Sequence, residues 1–214
     1  MLQPLHITAK EGTWRLFMVR RADPKFQQFK NSVLKRDQYQ CQFCGFCAQT
    51  QMEVVNLDGN YHNNKPSNLH TACPLCAQCL FIEAIGKSDF GGGSLIYLPE
   101  MTQGELNGLC HTLFNALISH NSQQSDAKTI YRSLRLRSQA VEKVLGEGMS
   151  NPALYGQLLI DTQHSNKAAI EEKVAATVRV LPQLARFVPL FESWQTHSLQ
   201  AMRGHQPCDN SSTP

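Results

Sequence analysis

The pattern of apolar and polar positions changes character near residue 99. Before that point, short apolar runs alternate with turn-rich stretches. The run WRLFMVRR, residues 14–21, reads as a short strand. The stretch from Pro24 to Asp37 places Phe26, Phe29, Val33 and Leu34 at helical spacing. Gln51 to Leu57 reads as a strand that turns at Asp58-Gly59, a strong hairpin signal. The following NYHNNKPSN is a loop by composition. The pattern predicts a helix from Cys73 to about Ile85, ending at Gly86. FGGGSLIYLPE then reads as a glycine hinge, a brief strand and a stop.

Beyond Pro99 the period becomes helical. Thr102-x-x-Glu105 is a capping-box signature that opens a helix through Leu106, Leu109, Cys110, Leu113 and Leu117. Further helices are predicted at about 126–145, 151–161, 167–180 and 183–202, with Pro152 suited to a first helical position. The expected division is a module over 1–99, a helical portion over 100–203 packed on it, and a polar, disordered tail over 204–214.

Composition narrows the class. The chain has 214 residues, 42% of them hydrophobic and 17% charged, with a formal net charge of +3. That charge is too mild to imply nucleic acid by itself. No apolar run reaches the roughly 18 residues a membrane span needs, and MLQPLHITAKEG lacks the features of a secretory signal. The expected location is therefore the cytoplasm, where disulfides are rare. The eight cysteines then point to metal binding or to buried thiols.

Their spacing is the strongest signal in the chain. Cys41-x-x-Cys44 and Cys73-x-x-Cys76 are two knuckles with 28 residues between them. Such a pair can converge on one tetrahedral Zn2+ with sulfurs at about 2.3 Å. A structural zinc can contribute on the order of 10 kcal/mol to folding. Cys47 and Cys79 extend each knuckle to CxxCxxC, which leaves three readings open: packed thiols, exchange within the zinc site, or a second metal or iron–sulfur cluster. Cys110 lies on an apolar helical stripe and reads as core, and Cys208 falls in the tail. The fold class these readings predict is α+β.

Around the knuckles, LKRDxYxCxxCG, then Asn68-Leu69, then Ala72-Cys73-x-x-Cys76, resembles the zinc-stapled HNH nuclease family. The resemblance implies a ββα-metal module in which zinc clips a hairpin to a helix. In that family a strand-end histidine activates water, and a helix residue helps to hold a catalytic divalent ion. Residue by residue the scaffold matches and the chemistry does not. Asn56 stands where the histidine belongs, Ala77 where the helix ligand belongs, and Leu80 where a lysine is usual. An amide cannot act as a general base near neutral pH, and alanine binds no metal. Asn68 matches the pattern and is expected to hold the loop. His70 is expected to cap or pack. A displaced nuclease site built on His62 and Asp58 is the competing reading, and a DNA-binding, non-cleaving module is a third.

A longer resemblance runs from about residue 12 to about 200. WRLF, RDQYQCQFCGF, VVNLDGNYHNNKPSNL, TACPLCAQC, GGGSLIYLPEMTQGELN, YRSLRLRSQAVEK and GQLLID, in this order, are similar to the IcmJ/DotN family of the Dot/Icm type IVB secretion system. Cys47 departs from that family's pattern. The resemblance implies a non-catalytic adaptor on the cytoplasmic face of the inner membrane. It would bind the C-terminal extension of the coupling ATPase DotL and so serve effector recruitment and translocation.

Three stretches are candidate surfaces. Lys128, Arg132 and Arg135 share one helical face, which is either merely solvated or suited to an acidic peptide or nucleic acid. Phe187, Phe191 and Trp194 belong to an apolar stripe with Leu184 and Val188. The stripe is either core or the seat of a partner helix, and Pro189 is expected to bend it. Gly91-Gly92-Gly93 lacks the lysine and spacing of a phosphate loop and reads as a flexible hinge.

Overall fold

The structure is a computed structural model that describes residues 2–119, 122–162 and 176–204, the last of these by backbone alone over 198–204. Residues 167–175 of the helix expected over 167–180, and the tail from 205 with Cys208, lie outside the described residues.

The chain opens with two helices, α1 (Thr13–Ala22) and α2 (Pro24–Arg36). The α1 segment was expected to be a strand. It is a helix, because Trp14, Phe17 and Arg20 recur every third residue on its inner side while Val19 is 64% exposed. Asp23 separates the two helices: its carboxylate accepts from Lys25 N at 2.9 Å, and Pro24 takes the first position of α2.

Strands β1 (Glu53–Asn56) and β2 (Leu69–Ala72) pair antiparallel, with Glu53 opposite Ala72 and Asn56 opposite Leu69. The expected tight turn at Asp58-Gly59 exists, with Gly59 at φ 67, but it opens a longer loop over 57–68. Side chains close that loop. Asp58 Oδ1 accepts from Asn60 N at 2.8 Å and from Asn68 Nδ2 at 2.9 Å, and Asp58 Oδ2 accepts from Asn63 Nδ2 at 2.7 Å.

The helix expected over Cys73–Ile85 is one turn, α3 (Pro74–Ala77), followed by 3₁₀ turns at Gln78–Leu80 and Ile82–Ala84. The N-terminal segment interrupts it. Thr8 N donates to Cys79 O at 2.9 Å and Thr8 O accepts from Ile82 N at 3.1 Å, so groups a continuing helix would use are taken. Phe81 turns into the core between Phe17, Tyr61 and Phe90.

Strand β3 (Gly93–Tyr97) follows, then α4 (Gln103–Ile118), which begins with the expected capping box. The single helix expected over 126–145 is two, α5 (Gln124–Leu136) and α6 (Ser138–Leu145). They break at Arg137, whose carbonyl accepts from Tyr97 N on β3 at 3.3 Å. Helix α7 (Pro152–Asp161) is capped by Asn151, as its Asn-Pro start predicts.

Residues 178–180, expected to end a helix, instead begin strand β4 (Val178–Pro182), which pairs antiparallel with β3. All five residues of β4 are buried, Arg179 among them. Helix α8 (Leu184–Gly204) closes the described chain, with Pro189 inside it. The architecture is α+β, two two-stranded sheets among helices, sharing an apolar core from Leu5 to Trp194.

Helix α7 rests on the 3₁₀ turn at Glu83 so closely that a methyl group on Gly156 would lie 2.5 Å from Glu83 N. Glu83 is thereby buried, and burial pushes its carboxyl up to about 7. In the unfolded chain it titrates near the ordinary value of about 4.3. Between those values the folded state keeps a proton that the unfolded chain has lost, so stability falls as pH rises through this window. Glu83→Gln cannot ionise. In denaturant titrations it is expected to be more stable than wild type by about 1–3 kcal/mol at pH 8, with the gap closing near pH 4.

Candidate metal centre

The first knuckle is shaped by its glycine: Gly45, at φ 79, turns the chain so that Gly45 N donates to Cys41 O and Cys41 N donates to Phe46 O. The second knuckle starts where β2 ends, and α3 carries Cys76 one turn past Cys73. The four sulfurs of Cys41, Cys44, Cys73 and Cys76 lie within 4.8 Å of one another and could hold a metal ion. Cys44 Sγ is 3.7 Å from Cys73 Sγ. The edge of a tetrahedron with metal–sulfur bonds of about 2.3 Å is about 3.8 Å, so the spacing fits a zinc-sized ion. An all-thiolate donor set favours zinc or iron over magnesium or calcium.

The electrostatics agree with a cation-demanding site. Burial raises the Cys41 thiol, but hydrogen bonds from Cys44, Cys73 and Cys76 outweigh it and hold Cys41 well below the usual value. Burial and their sulfur neighbours push Cys73 and Cys76 well above it. Four close thiols cannot all ionise against one another unless a cation compensates.

Cys79 and Cys47 stay outside this group. Burial pushes the Cys79 thiol up to about 12, and its sulfur donates to Leu75 O at 3.4 Å. Cys47 is half-buried and donates to Gln38 O at 3.7 Å.

Helix α4 supplies neighbours that the sequence reading did not single out. Asn107 Nδ2 lies 3.2 Å from Cys76 Sγ, and His111 Nε2 lies 3.3 Å from Cys73 Sγ. Gln103 completes a polar row at i, i+4 and i+8, running beside the apolar Leu106, Cys110 and Phe114. The signal for that row is three polar residues at helical spacing directly beside the apolar stripe. The His111 ring stacks on Phe46 of the first knuckle at 3.7 Å and 6°.

Of the positions that the nuclease resemblance singles out, Asn56 and Asn68 lie at the other end of the hairpin. Asn56, at the end of β1, is buried and saturated: its Nδ2 donates to Asn60 O at 2.9 Å and Asn63 O at 2.7 Å, and its Oδ1 accepts from Arg20. Arg20 also donates to Val54 O at 2.7 Å and sits over the rings of Phe26 and Tyr61, at 4.3 and 4.6 Å. A guanidinium therefore fills the space beside the end of β1. Ala77 is buried on α3. Asn68 holds the loop through Asp58 N, at 3.0 Å, and Asn63 O, at 2.9 Å. His70 Nε2 approaches Ser67 O at 3.3 Å. His62 is exposed, and Asp58 is occupied by the loop.

Phe187, Phe191 and Trp194 face inward: they are 5%, 3% and 7% exposed, and Phe191 and Trp194 pack against His111. Lys128, Arg132 and Arg135 are exposed on α5.

Metal removal follows from this geometry. A chelator with reductant is expected to lower the melting temperature by about 10 °C or more, reversibly on adding zinc, and Cys76→Ser should do the same. An unchanged melting temperature on chelation would contradict a structural metal.

No protein-family model matches the chain. Against curated proteins, it is 48% identical over 196 residues to the type 4 apparatus protein DotN of Legionella pneumophila, across 92% of this chain and 91% of that protein. With nearly half of the residues shared along almost the whole of both chains, the chain belongs to the IcmJ/DotN family of the Dot/Icm type IV secretion apparatus.

Proposed function

We propose that this chain is a non-catalytic, zinc-stabilised adaptor of the type IVB coupling complex. It binds the C-terminal extension of the coupling ATPase DotL at the cytoplasmic face of the inner membrane and helps to recruit and translocate effectors. Zinc on Cys41, Cys44, Cys73 and Cys76 locks an HNH-like module over about 1–99, on which the helical portion packs. No helix among the described residues is long and apolar enough to cross a membrane, so a soluble partner contact is the route to the membrane that this reading uses.

The observation that carries the reading is the state of the strand end. Asn56 is saturated by the loop and by Arg20, and Ala77 offers no ligand, so neither a general base nor a second metal position is on hand. Family membership supports the remainder. No observation favours the displaced nuclease, since the Asp58 carboxylate is engaged by Asn60, Asn63 and Asn68.

For the docking surface the basic face of α5 is the best candidate. Lys128, Arg132 and Arg135 are exposed, and no ion pair engages their side chains among the described residues. Arginine forks suit an acidic stretch of the extension.

Co-expression with the DotL extension followed by size-exclusion chromatography tests this. The expected result is co-elution with about one zinc per chain. Charge reversal at Lys128, Arg132 and Arg135 together is expected to weaken binding about tenfold or more, and most at low salt. Separate elution of the wild-type chain would overturn the adaptor reading. Divalent-ion-dependent plasmid nicking that disappears in His62→Ala would establish the nuclease instead.

A further inference from the structure

We infer that the polar row on α4 is the outer coordination sphere of the metal centre: His111 and Asn107 donate N–H groups to the Cys73 and Cys76 thiolates, and Gln103 ties them to the main chain of β4. The inference rests on reading the four cysteines as a zinc site.

The polarity of the row is fixed from its far end. Gln103 Oε1 accepts from Val180 N at 2.8 Å, and Gln103 Nε2 donates to Val180 O at 2.9 Å and to Asn107 Oδ1 at 3.0 Å. With its oxygen taken, Asn107 must turn its amino group toward Leu75 O and Cys76 Sγ, both at 3.2 Å. One unbroken run of hydrogen bonds therefore leads from β4 to a sulfur. Gln103 and Asn107 are 2% and 0% exposed, so each of these bonds is sheltered from water.

His111 approaches the second sulfur with Nε2, while Nδ1 is buried and has no partner among the described residues. The Nε2–H tautomer gives sulfur a donor and leaves only a lone pair unmet. The other tautomer would set a lone pair against a thiolate and strand a buried N–H, which costs more. Four thiolates around a divalent ion leave two negative charges in a buried site, and N–H donors spread that charge.

The same ring carries the coupling outward. Phe46 stacks on it from the first knuckle, and Trp194 of α8 sits 5.7 Å from it while donating Nε1 to Thr50 O at 2.9 Å. The metal, both knuckles, α4 and α8 thus meet at His111, a positioning residue that acts through Cys73.

The experiment uses the full chain as purified and three readouts: bound zinc, the rate of zinc release to a chelator, and the sulfur-to-cobalt charge-transfer band after cobalt(II) substitution. His111→Phe keeps the stack and removes the donor. It should retain zinc, release it about tenfold faster or more, and move the band to lower energy. His111→Gln, which keeps an N–H, should restore the band. An unchanged release rate and an unmoved band in zinc-loaded His111→Phe would overturn the outer-sphere role and leave the metal site standing. A wild-type chain that takes up neither zinc nor cobalt would overturn the metal site itself. Should His111→Phe not fold, imidazole nitrogen NMR on the wild-type holoprotein decides: an Nε2-protonated neutral ring supports the inference, and an Nδ1-protonated neutral ring overturns it.

Discussion

Four sulfur atoms held within 4.8 Å of one another, three of them on fully buried residues, impose the constraint around which the rest of this molecule is arranged. Thiols so close can ionise together only around a cation, and without one they oppose each other and the dry interior. The local fold places them regardless. Gly45 bends the first knuckle, β2 delivers Cys73, and the short helix α3 delivers Cys76 before Thr8 interrupts it. The helix is short because its later backbone groups are needed elsewhere.

The hairpin beside this centre has two ends with opposite character. At the cysteine end, the side chains converge on a position that calls for positive charge. At the Asn56 end, a positive charge is already built in: Arg20 fills the space between Phe26, Tyr61 and the strand, and the asparagine amide has no free hydrogen left. The two ends of the hairpin thus make opposite electrostatic demands, one for a cation and one already holding it. The cost of burying the guanidinium is offset by its hydrogen bonds to Asn56 and Val54 and by the two aromatic rings.

The sequence made the four-cysteine cluster legible because a CxxC knuckle is a local object whose geometry needs no knowledge of the fold. The starts of α4 and α7 were legible for the same reason: Thr-x-x-Glu and Asn-Pro act within one turn. What was hidden depended on distant chain. WRLFMVRR could not be read as a helix until the inward side of Phe17 and Arg20 was known, and the helix after Cys73 could not be seen to stop without Thr8. Strand β4 is buried at every position and only five residues long, too short for its Val-Arg-Val alternation to stand out beside the helical spacing expected over 167–180. Gln103, Asn107 and His111 were visible as a pattern but had no meaning until the sulfurs were brought beneath them.

The proposed adaptor depends on a closed, structural metal site. Zinc-edge X-ray absorption on the purified chain tests it most directly, because it counts the donor atoms. The account predicts a shell of four sulfurs at about 2.3 Å and no oxygen or nitrogen neighbour at bonding distance. A shell with a water in place of a sulfur would mean an open site, and one with an imidazole would mean a different ligand set; either would contradict it.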